Sequence, residues 1–165
     1  MTYQTKCPGF TIREATAEDA ALILELIHGL ADYEQMSGDV HTDAETLGRN
    51  IFEKGQANVI IGEEQGVPVC FALYFYNFST FEGRHGLYLE DLFVLPEYRG
   101  KGYGKAILKK LANIALERNC GRMEWWCLDW NQPSIDFYLS LNAEPMQEWT
   151  TYRLAGETLR ALAES

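Results

Sequence analysis

A chain of 165 residues, 47% hydrophobic and with a formal net charge of −10, has the length and composition of one ordinary globular domain. The charge excludes non-specific nucleic-acid binding, because most of such a surface repels a polyanion, and no stretch approaches the ~18 apolar residues of a membrane span. We therefore expect a single domain over residues 1–165, located in the cytoplasm, with neither nucleic acid nor membrane as a partner.

The charge is unevenly distributed. Residues 1–98 hold 16 acids against 5 bases, whereas residues 99–165 hold 8 against 9. The first part suits a small cationic partner and the second can receive an anion. Cys7, Cys70, Cys120 and Cys127 have no ligand-like spacing, and His28, His41 and His85 are dispersed, so reduced thiols and no metal site are expected. The first ten residues lack a basic stretch followed by an apolar one, so no leader is expected.

In chain order, residues 10–13 alternate as a short strand does. Thr16 with Asp19 forms a capping signature, and Ala20, Ile23, Leu24, Ile27, Leu30 and Ala31 recur at helical spacing up to Tyr33. Thr42 with Glu45 repeats the signature for a second helix that Gly55 stops. Residues 58–62 and 69–78 read as a hairpin and 79–86 as a polar loop. Residues 87–95 are apolar on both faces except at Glu90 and Asp91, which predicts a central strand. A glycine-rich turn at 100–104 and an amphipathic helix marked by Ala106, Ile107, Leu111, Ile114 and Ala115 follow. Residues 122–128 predict a strand, 131–141 a short helix with Pro133 in its first turn, and 149–154 a last strand. The order is α/β throughout.

The most specific feature is Arg99, Gly100, Lys101, Gly102, Tyr103, Gly104 between a strand and a helix. Glycines let several backbone N–H groups converge, and the helix N-terminus adds a favourable dipole for a pyrophosphate. Lys101, Lys105, Lys109 and Lys110 add positive charge. The spacing is neither that of a Walker loop nor that of a dinucleotide fingerprint.

This loop resembles the Arg/Gln-x-x-Gly-x-Gly/Ala signature of the GNAT N-acetyltransferase superfamily. Glu14-Ala15-Thr16, Tyr33-Glu34, Tyr88-Leu89-Glu90-Asp91, Pro96-Glu97-Tyr98-Arg99-Gly100, Asp129-Trp130-Asn131 and Phe137-Tyr138 are similar, in order, to the spermidine/spermine (diamine) branch. Asp129-Trp130-Asn131 also resembles the thialysine sub-branch. The resemblance covers roughly residues 10–155. It implies a mixed, mostly antiparallel sheet flanked by helices, splayed between the strands at 89–94 and 122–128 to admit acetyl-CoA. It further implies a homodimer.

By the same resemblance, the backbone of Leu92, Phe93 and Val94 would bond the pantetheine arm and Arg99, Gly100, Lys101, Gly102, Tyr103, Gly104 and Lys105 would hold the pyrophosphate. Asn131, Gln132, Pro133 and Ser134 would flank the cofactor. Tyr138 would protonate the departing thiolate, a step uphill by only ~1–2 pH units between an ordinary phenol and thiol. An alkylammonium must lose a proton before attack. Glu90 is the candidate acceptor, directly or through water, and Asp91 is the other carboxylate of that strand. Simple alternation points the two to opposite faces. Tyr33, Glu34, Glu90, Asp91, Glu124, Trp125 and Trp126 are the expected substrate-binding residues, since aromatic rings and carboxylates suit alkylammonium chains.

Two departures from the branch stand out. Leu141-Asn142-Ala143 replaces Leu-Gly-Ala, and the stretch 144–149 is shorter than the substrate loop of the polyamine enzymes. The second departure falls in a substrate-binding loop and counts against polyamine specificity, but the resemblance as a whole makes acetyl transfer to a polyamine or diamine, by direct attack in a ternary complex, the leading expectation. Thialysine or another amino-acid-like amine, and a non-catalytic acyl-CoA sensor, are the alternatives.

Overall fold

The computed structural model describes residues 1–165, which form two compact units, 1–126 and 127–165. The first unit is a six-stranded sheet in the order β1-β2-β3-β4-β5-β6. Its strands are β1 (Thr2–Gln4), β2 (Phe10–Glu14), β3 (Asn58–Glu64), β4 (Val67–Ser79), β5 (Arg84–Val94) and β6 (Met123–Glu124). Every neighbouring pair is antiparallel except β5 with β6. The helices of this unit are α1 (Ala20–Tyr33), α2 (Ala44–Gly48), which continues as a π-helical turn over Arg49–Glu53, and α3 (Tyr103–Glu117).

The expected capping chemistry sets the start of the first helical segment: Asp19 Oδ2 accepts from the Thr16 amide at 2.7 Å. Ile23 and Leu26 of α1 pack with Val59, Ile61, Phe71 and Phe93 in one core. On the other face Phe10 stacks on Tyr103 of α3, centroids 4.0 Å apart and planes 5° apart. Gly62 lets these layers close, because a Cβ there would lie 2.5 Å from Phe10 Cζ.

The structure corrects several expected elements. Asp43, not Thr42, caps α2, its side chain accepting from the Thr46 amide at 2.7 Å. The expected loop at 79–86 shortens to a turn at 80–83, since β4 and β5 pair out to Ser79 and Arg84. The strand expected at 122–128 contracts to Met123–Glu124, and the short β1 was not legible. Helix α3 begins at Tyr103, earlier than its apolar repeat, because Gly102 takes a left-handed φ of 85° and ends the loop there.

The second unit holds α4 (Gln132–Ser140) and α5 (Gly156–Ala163). Asn131 caps α4 by accepting from the Ser134 amide at 3.4 Å, and Pro133 sits in the first turn, as expected. Asn142 adopts φ 61°, the left-handed turn that a glycine supplies elsewhere. Residues 149–154 are not a strand. Trp149, Tyr152 and Leu154 are exposed, and β-favouring side chains specify a strand only where a ladder and a packing surface meet them. Helix α5 was not expected.

Candidate active site

Between Leu73 and Tyr74 of β4 the register with β5 shifts: Tyr74 pairs with Leu89, but Leu73 pairs with Asp91. Glu90 is thus the extra residue of a β-bulge. The bulge breaks the alternation assumed from the sequence, so the face that carries Tyr88 continues through Asp91 and Phe93 rather than through Glu90. Phe93 belongs to the core under α1, so Asp91 is brought to the α1 side of the sheet while Glu90 stays exposed.

A cavity of about 170 Å³ opens there, lined by Asp91, by Ile27, Leu30 and Ala31 of α1 with its C-cap Glu34, and by Met36, Asp39 and Val40 of the turn that follows. Its charged lining residues are all acids and the rest are apolar. Burial, then the neighbouring charges of Glu90 and Glu34, push the Asp91 carboxyl up to about 7 from an ordinary 3.8. Burial also raises Glu34. Carboxylates held in apolar walls are stabilised by an incoming cation, so the cavity suits the ammonium end of an alkyl chain. Glu34 and Asp91 were expected here. Met36, Asp39 and Val40 were not, because a turn carries no periodic signal.

Tyr33, also expected, lies beneath Arg99, whose guanidinium carbon is 4.6 Å from the ring centroid and 5.5 Å from that of Phe93. Arg99 Nε donates to the Val94 carbonyl at 2.9 Å, so one side chain holds the loop to the end of β5 while it covers the Tyr33 ring at the end of α1. Of the remaining expected substrate residues, Glu124 pairs with Arg122 at 2.7 Å. The Trp126 ring meets Tyr88 edge-on at 6.4 Å. Burial, followed by Glu90 and Glu124, raises the Tyr88 phenol. Trp125 precedes Trp126 beyond the end of β6.

The pairing of β5 with β6 covers only Leu87 and Tyr88. The stretch with Leu92, Phe93 and Val94 therefore lies outside that ladder, in keeping with the divergence that the family resemblance implies. The loop that follows has Gly100 at φ 77° and Gly102 at φ 85°, and a Cβ at Gly100 or Gly104 would meet nothing within 4 Å. The N-cap of α3 makes no side-chain capping bond. That cap is Gly102, which has no side chain to offer, so no side chain caps the first turn at the positive end of a 15-residue helix, an arrangement that fits a pyrophosphate. In the second unit α4 carries Gln132, Pro133, Ser134 and Tyr138 behind the Asn131 cap. Gln132 Nε2 donates to Asp136 Oδ1 at 2.7 Å, and the Tyr138 ring lies 5.6 Å from that of Phe137.

The sequence profile of the Acetyltransferase (GNAT) family matches residues 24–142. The chain belongs to the GNAT acetyltransferase family. It is similar to the thialysine N-epsilon-acetyltransferase of Bos taurus, 40% identical over 164 residues that cover 92% of this chain and 96% of that protein. It is also similar to the human spermidine/spermine N(1)-acetyltransferase-like protein 1, with 34% identity over 97% of this chain but 24% of that protein. An integron cassette protein from the mobile metagenome of V. cholerae has a similar structure, with a TM-score of 0.80, 29% identity, and coverage of 95% and 99% of the two chains. This GNAT protein is an amine acetyltransferase, and its family uses acetyl-CoA as acyl donor. No helix is long and apolar enough to cross a membrane.

Proposed function

We propose that this acetyltransferase moves the acetyl group of acetyl-CoA to a primary amine of a small polyamine or diamine, by direct attack within a ternary complex. The observation that carries the reading is the cavity whose charged lining residues are Glu34, Asp39 and Asp91. An α-amino acid substrate would bring a carboxylate as well as a cation, and a lining of three acids and five apolar residues offers that carboxylate no partner. Thialysine remains the second reading, favoured by the 40% identity to enzymes of that name.

Acetyl-CoA supplies an activated thioester carbonyl. The backbone donors of residues 100–105 hold its pyrophosphate, Leu92, Phe93 and Val94 offer backbone groups to the pantetheine arm, and Asn131, Gln132, Pro133 and Ser134 flank it. Glu34 and Asp91 fix the cationic chain of the amine, with Tyr33, Glu124, Trp125 and Trp126 as further contacts. A carboxylate of the Glu90, Asp91 pair takes the proton that the ammonium must lose, and Tyr138 gives its phenolic proton to the leaving thiolate. The chain acts as one acetyltransferase domain in the cytoplasm, as its length and composition led us to expect, and its pairing as a homodimer rests on the resemblance alone.

Steady-state release of CoA with spermidine tests this. Glu34→Gln and Asp91→Asn should raise the amine KM at least tenfold, about 1.4 kcal/mol of lost binding, while leaving that of acetyl-CoA unchanged. Tyr138→Phe should lower kcat with little change in either KM. An unchanged amine KM in both carboxylate variants would remove the cavity from the substrate site.

A further inference from the structure

Two side chains of the glycine loop end on one oxygen from another hairpin. Glu64, the last residue of β3, accepts through Oε1 from Lys101 Nζ at 2.7 Å and from the Tyr103 hydroxyl. The Tyr103 ring is itself buried and stacked on Phe10. The Lys101 ammonium lies 4.9 Å from the Tyr98 ring centroid and 5.9 Å from that of Tyr103. Between the two tied residues, Gly102 holds its left-handed φ.

Anchoring positions 101 and 103 fixes the peptide planes between them, and with them the direction of the N–H groups that open α3. Lys101 is meanwhile neutralised by Glu64, and its aromatic neighbours hold it on that side. We infer that Glu64 is a positioning residue for the acyl-CoA loop and that Lys101 serves as a tie rather than as a phosphate ligand. The inference rests on the proposed reading of this loop as the acyl-donor site. Anion affinity then comes from backbone donors arranged before the ligand arrives, so that less ordering remains to be done on binding.

The two roles for Lys101 predict opposite signs. If Lys101 bound phosphate, Glu64 would compete with the ligand and Glu64→Gln would tighten CoA. If Glu64 holds the loop, the same change loosens it. The test is calorimetric titration of CoA into the full chain, wild type beside Glu64→Gln, Lys101→Met and the double variant, at two salt concentrations. We expect each single change to weaken CoA by about five- to tenfold, in the range of one charge-assisted hydrogen bond. The double variant should be no weaker than the worse single, since both break one tie. The salt dependence of CoA binding should be the same in Lys101→Met as in wild type. Tyr103→Phe keeps the ring on Phe10 and should weaken CoA by a smaller factor, which covers the case in which Glu64→Gln fails to fold. Unchanged or tighter CoA binding in folded Glu64→Gln, or a flatter salt dependence in Lys101→Met, overturns the inference alone. A wild-type chain that does not bind CoA overturns both the inference and the donor-site reading.

Discussion

Asp91→Asn should stabilise the protein while impairing it. Between pH 3.8 and about 7 the folded state holds a proton on Asp91 that the unfolded state has released. Stability is therefore complete below the ordinary carboxylate value and is lost as pH rises through about 7. At about 1.4 kcal/mol per pH unit, the interval from 3.8 to about 7 amounts to about 4 kcal/mol above neutrality. Asparagine carries no charge at any pH and escapes this cost, less whatever hydrogen bonding it fails to match. Urea unfolding at pH 8 should show Asp91→Asn more stable by about 2–4 kcal/mol, and at pH 4 the two proteins should differ by less than about 0.5 kcal/mol. The gap should open mainly between pH 5 and 7. A variant less stable than wild type at pH 8, or a difference independent of pH, would refute the placement of Asp91 in an apolar cavity beside Glu34. Stability gained with function lost is the usual mark of a charge retained for binding.

Amine affinity should rise with pH through about 7, as Asp91 ionises, and titration of spermidine between pH 5.5 and 8 should show this in wild type but not in Asp91→Asn. Gly29→Ala would place a Cβ 2.7 Å from Cε1 of the buried Phe93 and should cost about 1–3 kcal/mol in denaturant unfolding. Gly38→Ala, with nothing within 4 Å, should stay within about 0.5 kcal/mol. Arg13 bridges Asp19 and Glu63, each at 2.7 Å, with 24% of its side chain exposed. Arg13→Met should cost about 2 kcal/mol at pH 7, below the value for a sealed pair. The Arg13 hydrogen bond holds Asp19 below its ordinary 3.8, so its contribution is lost as pH falls below that value, and acid titration should show a smaller loss in the variant.

What was legible in the sequence is what local chemistry determines. The Thr16 and Asp19 cap, the apolar stripe of α1 and the Asn131 and Pro133 start of α4 each lie within one or two helical turns, as does the glycine loop running into α3. The bulge at Glu90 was not legible, because apolar residues flank the two carboxylates on both sides and a two-residue period looks the same with or without an insertion. The face of Asp91, and so the composition of the cavity, depends on that one register shift. The tie from Glu64 to Lys101 spans 37 positions and follows from sheet order rather than from any pattern in the chain. Residues 149–154 misled for the opposite reason, since strand-like side chains occur there without a strand.

Substrate specificity is tested most directly by incubating the protein and acetyl-CoA with equimolar spermidine, putrescine, thialysine, lysine and a short peptide, and identifying the acetylated products by mass spectrometry. N-acetylated polyamine or diamine should dominate. Exclusive acetylation of thialysine or lysine would contradict the reading of a subsite whose charged residues are all acids, and no acetylated product from any amine would contradict the proposed reaction itself.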